Sequence, residues 1–446
     1  MDTLIWQSKK QIFSVCFSGI SLWLSLAVTT ILTGCGGSDD IDVDKSGVDV
    51  NVFLDGRANS ELDAVLTRIA QEKNIENAIL MVDVPKHGYR WHKAVGIGNS
   101  RTQAPLSPKQ NFRTGSVSKM LTAIRVLQLA EQGLLDLDQP IATLLSDADM
   151  PAGKTLAELS VYQGQAIGGQ ITVRQLLNHR SGIHDYLFGE GSSGMTLAEL
   201  MVLDATGVLP SGVSQKQWSS LALLDYFFQN GMGNLPYAVP DSRFFYTDSN
   251  YLLLGMIVEK LTGRSLADNY RDGIYSHADM PGAYLEWYEP AKSAAPVDHY
   301  LDASHDGLGN LNIVELEINT SLDWGGGGVV TDAVSLSNLL SALFNKHLLT
   351  QEASLAEMTS FSATDFPTNE FLTQYNYGLG LVERVYKLDK YRDVKLYGHD
   401  GFWGIHAYYE PKTQASIVLV LNQATADDRW IGDVVKALMK AKLFGI

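Results

Sequence analysis

Residues 112–141 read FRTGSVSKMLTAIRVLQLAEQGLLDLDQPI and contain the single Ser-x-x-Lys quartet of the sequence, Ser116 to Lys119. A chain of this composition holds about one or two such quartets by chance, so position decides the meaning of this one. The quartet stands at the start of an amphipathic helix that is predicted to run to Gly133. Residues three apart share a helix face, which places the Lys119 amine beside the Ser116 hydroxyl.

This placement gives Ser116 two features of a nucleophile. The positive end of the helix favours negative charge on the serine oxygen. The Lys119 amine supplies the activator that a serine needs to attack a carbonyl. In the alternative interpretation, Ser116 caps the helix and Lys119 is a solvated residue of its first turn. A lysine is electrostatically unfavourable beside the positive helix end, which favours the catalytic interpretation.

The two ends of the sequence predict an α+β fold. The segment 61–73, ELDAVLTRIAQEK, has a helical apolar face, and the segments 78–85 and 92–99 are typical of paired strands. The segments 395–411, KLYGHDGFWGIHAYYEP, and 415–424, ASIVLVLNQA, are also strand-like, and a closing helix follows them. We therefore expect an antiparallel sheet flanked by terminal helices, with a large helical domain inserted.

The predicted domain boundaries follow from these elements. Residues 59–115 and 371–446 form the sheet domain, and residues 116–370 form the mostly helical domain that carries the nucleophile. Residues 1–34 are predicted to be a lipoprotein signal peptide, and residues 35–58, with the acidic stretch GGSDDIDVDKSGVDV, an acidic tether.

The signal peptide is predicted from an uncharged apolar run, residues 11–34, that follows the basic pair Lys9 and Lys10. The run ends in Leu-Thr-Gly-Cys at Cys35, which resembles the bacterial lipobox, in which the cysteine is lipidated and becomes the mature N-terminus. An uncleaved signal-anchor helix is the alternative. The resemblance implies export and a lipid anchor in the membrane of the cell envelope, with the outer membrane facing the periplasm as the expected site.

The charge balance excludes a nucleic-acid partner. The sequence has 50 acidic and 34 basic residues and a net charge of -16. It therefore has no surplus of basic residues to neutralise phosphates. The ten histidines are scattered, so we expect no metal site, and no cofactor is implied. The sequence does not indicate an oligomeric state.

Five motifs in order resemble the penicillin-recognising serine hydrolases, in the branch of class C beta-lactamases, serine D-Ala-D-Ala carboxypeptidases and related esterases. The resemblance covers roughly residues 60–446, and its motifs are the quartet region already quoted, ITVRQLLNHRSGI (171–183), FFYTDSNYLLLGMIVEKLTG (244–263), GGGGVVTDAVSLSNLL (325–340) and GHDGFWG (398–404). It implies the beta-lactamase/transpeptidase-like fold.

The resemblance also implies roles for individual residues. Ser116 is the nucleophile, and Lys119 and Tyr246 share its proton. The backbone N–H groups of Ser116 and Phe402 form the oxyanion hole. The family's third motif, K-T-G or H-x-G, matches His399 to Gly401, with a second His-Asp-Gly at His305 as the alternative.

The predicted substrate-binding residues are Asp248, His399, Gly401 and Phe402, and two of these positions depart from the family. Asp248 replaces an asparagine, and we expect it to pair with Lys119 and raise the lysine pKa. Neutral His399 and acidic Asp400 stand where beta-lactamases hold the carboxylate of their drug with a lysine and a threonine. The departures favour a neutral ester or a peptide over an anionic lactam.

The sequence therefore predicts a serine hydrolase that acts through an acyl-enzyme on a small-molecule or peptidoglycan-peptide substrate. A D-Ala-D-Ala carboxypeptidase-like enzyme or an esterase is ranked first and a class C-like beta-lactamase second. A catalytically silent lipoprotein that binds peptidoglycan is the alternative of another class. His179, Arg180 and the glycine run 325–328 are interpreted as structural features of loops.

Overall fold

The computed structural model describes residues 50–304, 307–389, 392–424 and 426–444. The predicted signal peptide, the predicted lipid attachment site Cys35, the predicted tether up to residue 49 and the alternative His305 lie outside the described residues. Within those four ranges, none of the helices combines the length and the apolar character needed to cross a bilayer.

The helices and strands are numbered in chain order. The α-helices are α1 Val50–Ile69, α2 Ser118–Glu131, α3 Val173–Leu177, α4 Leu197–Ala205, α5 Ser220–Gln229, α6 Asp248–Thr262, α7 Leu266–Tyr270, α8 Trp324–Gly327, α9 Ala333–Phe344, α10 Glu352–Met358 and α11 Arg429–Lys440. The strands are β1 Asn77–Val84, β2 Tyr89–Asn99, β3 Ala104–Pro105, β4 Phe112–Arg113, β5 Val161–Tyr162, β6 Gln165–Ala166, β7 Tyr284–Leu285, β8 Tyr300–Ala303, β9 Gly309–Asn312, β10 Val329–Thr331, β11 Ser362–Ala363, β12 Leu372–Tyr377, β13 Val382–Lys387, β14 Asp393–Gly401, β15 Ile405–Glu410 and β16 Ala415–Val420.

The main sheet is antiparallel and joins the two ends of the chain. Its strand order within the described residues is β11-β12-β13-β14-β15-β16-β1-β2-β3. The C-terminal strand β16 pairs with the N-terminal strand β1, with Met81 opposite Val418. The predicted antiparallel sheet built from both ends of the chain is therefore confirmed.

The central strands are buried on both faces because helices cover both. Side chains of a strand alternate between faces, and in β16 Ile417 and Leu419 enter the core under α1 and α11, whereas Val418 and Val420 enter the core shared with the helical domain. Two apolar cores therefore lie on opposite sides of one sheet, which explains why residues 417–421, IVLVL, are apolar without interruption.

Two boundaries differ from the prediction. Helix α1 begins at Val50, so residues 50–58 belong to the helix and not to the tether. The reason is that the buried stripe of this helix includes Ala58, one turn before Leu62, and so extends toward the N-terminus. The sheet also gains the short edge strand β11 before residue 371.

The nucleophile segment lies against the end of β14. A 3₁₀ turn, Gly115–Val117, carries Ser116 and leads directly into α2. A Cβ atom placed on Gly401 would lie 2.2 Å from the Thr114 carbonyl oxygen, and one placed on Gly115, whose φ is +53°, would lie 3.0 Å from the Phe402 backbone nitrogen. Both positions require glycine, because two backbone segments come so close there that no space is left for a Cβ atom.

We expect Gly401→Ala to lower the free energy of unfolding by about 2–3 kcal/mol, since the added methyl must push the Thr114 backbone away. Chemical denaturation measures this loss. The matched control is Gly56→Ala in α1, where a Cβ meets nothing within 4 Å and alanine should stabilise the helix by about 0.5–1 kcal/mol. Equal stability of the Gly401→Ala protein and the wild type would contradict the close approach.

Candidate active site

Three separate parts of the chain meet at the Lys119 amine. Lys119 lies in the first turn of α2, and its Nζ is 3.0 Å from Ser116 Oγ, 2.6 Å from Asp248 Oδ1 and 3.0 Å from the Gly326 carbonyl oxygen. Asp248 opens α6, and Gly326 belongs to α8. A Cβ on Gly326 would lie 2.8 Å from Asp248 Oδ1, so a glycine at this position makes room for the ion pair.

Lys119 is protonated in this arrangement. Burial alone would lower its pKa, but the charge of Asp248 and the neighbouring Tyr246 raise it above the ordinary lysine value. The three N–H bonds of the ammonium group match its three acceptors, and the side chain is fully buried. In the resting site Lys119 therefore donates a hydrogen bond to Ser116 and does not accept its proton.

Tyr246 is placed beside this pair, with its hydroxyl near both Lys119 and Ser116. Its ring centroid is 4.9 Å from Lys119 Nζ. Its buried hydroxyl has no hydrogen-bond partner within 3.5 Å among the described residues, but Lys119 and Ser116 are close enough to lower its pKa. Burial raises the pKa of Tyr246 to about 12, against the lowering effect of the Lys119 charge. In the resting site the Tyr246 hydroxyl is therefore protonated at neutral pH, because burial and the Asp248 charge both raise its pKa. The sharing of the serine proton between Lys119 and Tyr246 stays a prediction.

His179 is a site residue that was interpreted only as a loop feature. Its imidazole stacks on the Tyr246 ring, with centroids 4.2 Å apart and planes 29° apart. Its Nδ1 accepts from the Thr247 backbone N–H at 3.1 Å, which leaves the proton on Nε2, and burial lowers its pKa well below the ordinary value. His179 is thus a neutral platform that positions Tyr246. The motif NHRSG marked the residue but gave no sign of this contact.

His399 lies beside Tyr246 but has both ring nitrogens engaged. Its Nδ1 donates to the Asp400 carbonyl oxygen at 2.6 Å, and its Nε2 accepts from the Tyr377 hydroxyl at 2.9 Å. Burial, and secondly the charge of Lys119, lower its pKa to about 4, so the imidazole is neutral. With 2% exposure, His399 could contact a substrate only by exchanging one of these bonds. Tyr377 is the partner that the motif did not reveal.

Asp400 points away from the nucleophile. Consecutive strand residues face opposite sides of a sheet, and the Asp400 carboxylate is 2.7 Å from Arg384 Nη2, 2.7 Å from the Tyr408 hydroxyl and 2.7 Å from His406 Nδ1. Burial would raise its pKa, but the Arg384 charge and these hydrogen bonds lower it below the usual range. Asp400 therefore adds no charge to the face of the sheet that carries His399.

Ser116, Gly401 and Phe402 come together as predicted by the motif spacing. Ser116 and Phe402 line one pocket, and the Phe402 backbone nitrogen lies close to Gly115, as described for the fold. Gly401 fits this site by the absence of its side chain, since Thr114 occupies the space of a Cβ. Within the described ranges there is no group of three or more His, Cys, Asp or Glu side chains that could hold a metal ion.

The pocket beside Ser116 is predominantly apolar. Its apolar side chains are Leu187, Phe188, Ala198, Met201, Val202, Leu301, Ile313, Ile318, Leu322, Phe402 and Trp403. Its charged lining residues, within the described part of the chain, are the carboxylates Asp248 and Asp323, and no lysine or arginine is among them. Asp323 was not singled out by any motif.

The chain matches known proteins over most of its length. The family model described as Beta-lactamase matches residues 63–437. Penicillin-binding protein 4* of Bacillus subtilis (strain 168) is 27% identical over 210 residues, which cover 47% of this chain and 38% of that protein. Esterase EstB of Burkholderia gladioli is 26% identical over 254 residues, which cover 56% of this chain and 55% of that protein. The matched regions thus span less than two thirds of these relatives.

Solved structures share the fold at low sequence identity. The D-stereospecific amidohydrolase from Streptomyces sp. has a TM-score of 0.65 and 24% identity, covering 85% of this chain and 97% of that chain. The D-amino acid amidase from Ochrobactrum anthropi SV3, complexed with L-phenylalanine amide, has a TM-score of 0.68 and 21% identity, covering 86% and 99%. These likenesses confirm the predicted beta-lactamase/transpeptidase-like fold.

The effect of the Asp248 charge on the Tyr246 pKa predicts how the reactivity of Ser116 depends on pH. A base acts when deprotonated, so a raised Tyr246 pKa moves its useful range to high pH. Asp248→Asn removes a negative charge that raises this pKa and keeps an oxygen acceptor for Lys119. We expect the rising limb of the labelling rate of Ser116 by a fluorophosphonate to move about one unit or more to lower pH.

The measurement is the second-order labelling rate between pH 5 and 10, with thermal unfolding recorded to show that the variant is folded. Asp225→Asn, which removes the charge of an exposed aspartate outside the pocket, is the matched control and should leave the profile in place. A limb that stays at the wild-type pH, or moves to higher pH, would show that Asp248 does not set the Tyr246 pKa.

Proposed function

Because the chain belongs to the beta-lactamase family of serine hydrolases, we propose that it hydrolyses a carboxylic ester through an acyl-enzyme on Ser116. The observation that carries this proposal is the 3.0 Å contact of Ser116 Oγ with the protonated Lys119 Nζ, at an apolar pocket whose described lining contains no basic side chain. Ester hydrolysis needs the nucleophile and the apolar surface but no partner for a substrate carboxylate.

In the proposed acylation, Ser116 Oγ forms a bond to the substrate carbonyl carbon. The Lys119 ammonium group stabilises the negative charge that develops on Oγ, since the hydrogen bond to a charged oxygen is the stronger one. The Tyr246 hydroxyl lies near both Ser116 and Lys119, and we assign it the transfer of the serine proton to the leaving alcohol as the C–O bond breaks. Its high pKa makes the phenol a weak acid and its phenolate a strong base.

The backbone N–H groups of Ser116 and Phe402 are the proposed donors to the carbonyl oxygen. Two backbone donors aimed at this oxygen stabilise the tetrahedral intermediate without rearrangement. A water molecule then attacks the acyl-enzyme, its proton passes to the serine oxygen, and the carboxylic acid leaves. The closeness of Gly115 to the Phe402 backbone nitrogen supports this assignment, because it places the backbones of Ser116 and Phe402 beside one pocket.

The charges of the pocket support an ester over the other candidate substrates. A D-Ala-D-Ala peptide and a beta-lactam drug both carry a carboxylate. In this pocket a carboxylate would meet Asp323, and the lining residues that the structure describes include no lysine or arginine. Like charges at short range disfavour binding. We therefore rank an esterase before a D-Ala-D-Ala carboxypeptidase and a class C-like beta-lactamase. Esterase EstB among the relatives is consistent with this ranking.

A peptidoglycan-binding lipoprotein without activity remains the candidate of another class, and the assembled Ser116, Lys119 and Tyr246 side chains argue against it. We further propose that the protein works in the bacterial cell envelope, held there by a lipid on Cys35. The bacterial penicillin-binding relatives support an envelope location. Metabolic labelling with a palmitate analogue, compared between the wild type and Cys35→Ala, tests the anchor.

We expect Ser116→Ala to lose covalent labelling by a fluorophosphonate and to lose ester hydrolysis by at least about 10³-fold, because the acyl-enzyme needs the serine oxygen. Mass spectrometry of the labelled protein checks the first result, and release of p-nitrophenol from p-nitrophenyl butanoate checks the second. Ser276→Ala, at an exposed serine outside the pocket, is the control. Undiminished labelling of Ser116→Ala would exclude Ser116 as the nucleophile.

The ranking of substrates has its own test. The wild-type protein should show a kcat/KM for p-nitrophenyl butanoate at least about tenfold above its values for a D-Ala-D-Ala peptide and for nitrocefin, since a carboxylate is repelled by the pocket. Faster turnover of the peptide or of nitrocefin would place the enzyme with the carboxypeptidases or the beta-lactamases. Tight binding of a muropeptide without turnover or labelling would favour the silent lipoprotein.

A further inference from the structure

Asp323 is an unpaired acid in the substrate pocket. It lines the same pocket as Ser116, and it is the residue before the short helix α8, yet its side chain makes no cap hydrogen bond to that helix. Among the described residues its carboxyl group has neither a hydrogen bond nor an ion pair. An ionised carboxylate without a partner in an apolar pocket costs free energy. The cost is avoided if the carboxyl group is protonated or pairs with a cation.

Asp323 lies close to the nucleophile. A Cβ placed on Gly327 would lie 3.3 Å from the Asp323 carboxyl carbon and 3.5 Å from the Gly115 carbonyl carbon. The carboxyl group and the residue before Ser116 therefore contact the same small space from two sides. A substrate whose carbonyl is at Ser116 Oγ therefore has this carboxyl group within reach.

The basic side chains around Asp323 are already occupied. The Arg113 guanidinium donates to both carboxylate oxygens of Glu286, at 2.5 Å and 2.9 Å. The Lys119 ammonium group has its three acceptors in Ser116, Asp248 and Gly326. Within the described part of the chain, Asp323 is thus left without a cation, although each of the neighbouring acids Asp248 and Glu286 has one.

The position of Asp323 is fixed by the fold. The following residue, Trp324, has a φ of +26°, which is rare for a bulky side chain. Its ring is buried and packs so closely on α6 that a Cβ on Gly255 would lie 2.8 Å from Trp324 Cζ3. Tyr186 also donates from its hydroxyl to the Leu322 carbonyl oxygen at 2.7 Å. The backbone on both sides of Asp323 is therefore held, and its carboxyl group stays at the pocket.

We propose that Asp323 binds an ammonium group on the acyl part of the substrate, so that the preferred esters carry a cation and an apolar side chain. This inference rests on the proposed function. The cation pairs with the unpaired carboxylate, and the apolar side chain contacts wall residues such as Phe188, Met201 and Phe402. Pairing restores charge balance in a pocket where the Lys119 charge is already neutralised by Asp248.

The electrostatics of the group agree with this role. Burial, and secondly the charge of Asp248, raise the pKa of Asp323 to about 7, while Lys119 and Arg113 act in the opposite direction. The acid is therefore near balance between its two forms at neutral pH. An ammonium group at short distance favours the carboxylate form, so a cationic substrate ionises the residue that binds it.

The test compares three ethyl esters with the same apolar group at pH 7: phenylalanine ethyl ester in both enantiomers, its N-acetyl derivative, and ethyl 3-phenylpropanoate. The first carries an ammonium group, and the other two are neutral. The wild-type kcat/KM should be at least about tenfold higher for one enantiomer of the ammonium ester than for either neutral ester. In Asp323→Asn this ratio should fall to about one, with the loss in KM.

Two further variants show whether the change in substrate preference comes from loss of the Asp323 charge or from a disturbed fold. Asp323→Glu restores a carboxylate and should recover part of the preference, while Asp225→Asn removes an exposed charge and should keep the wild-type ratio. Thermal unfolding shows whether each variant is folded. If the wild type has no preference for the ammonium ester, or if Asp323→Asn keeps it, the assignment of Asp323 is overturned.

Failure of this inference is distinguishable from failure of the proposed function. Hydrolysis of the neutral esters without a preference, lost in Ser116→Ala, overturns the role of Asp323 and leaves the esterase in place. Labelling of Ser116 by a fluorophosphonate without hydrolysis of any of the esters overturns both the ammonium preference and the esterase ranking, but not the nucleophile. Absence of labelling overturns the nucleophile as well.

Discussion

The buried ion pair of Lys119 and Asp248 is the interaction on which the site depends. Loss of one partner from such a pair costs about 3–5 kcal/mol, because the other is left as an uncompensated charge. The fold therefore meets every requirement of the ammonium group. The 3₁₀ turn brings Ser116, α6 brings Asp248, and α8 brings the Gly326 carbonyl oxygen. The absence of a side chain at Gly326 follows from the same requirement.

The ion pair also decides what the neighbouring groups can do. A protonated lysine with all its hydrogens engaged polarises Ser116 and leaves the proton transfer to another group. Tyr246 is that group by position, but Asp248 cancels much of the charge that would lower its pKa. An aspartate in place of a neutral asparagine thus helps to raise the pKa of a residue to which it is not bonded. The chemistry of the site is set by the sum of its charges as much as by the catalytic residues themselves.

The sequence predicted the parts of the site that depend on spacing along the chain. The quartet from Ser116 to Lys119 needs only helical geometry, and the pairing of Lys119 with Asp248 needs only opposite charges at motif positions. The sheet followed from apolar segments at the two ends of the chain. Alternation along β14 could have placed Asp400 on the far side from His399, but the motif comparison treated both as members of one site. The position of a residue in a motif does not tell which face of the strand its side chain is on. The face decides whether its charge can reach a substrate.

Other features could not be read from the sequence because they depend on contacts between distant segments. Tyr377 engages His399 from another strand, and His179 supports Tyr246 from a loop that precedes it by more than sixty residues. Asp323 belongs to none of the motifs. Its proposed role follows from its neighbours, because the nearby cations Arg113 and Lys119 are paired with other acids. One aspartate, Asp400, is withdrawn from the pocket by Arg384, and another, Asp323, is presented to it without a partner. An acidic group is therefore present in the pocket after all, but it comes from the 3₁₀ turn before α8, where a cationic substrate ionises it.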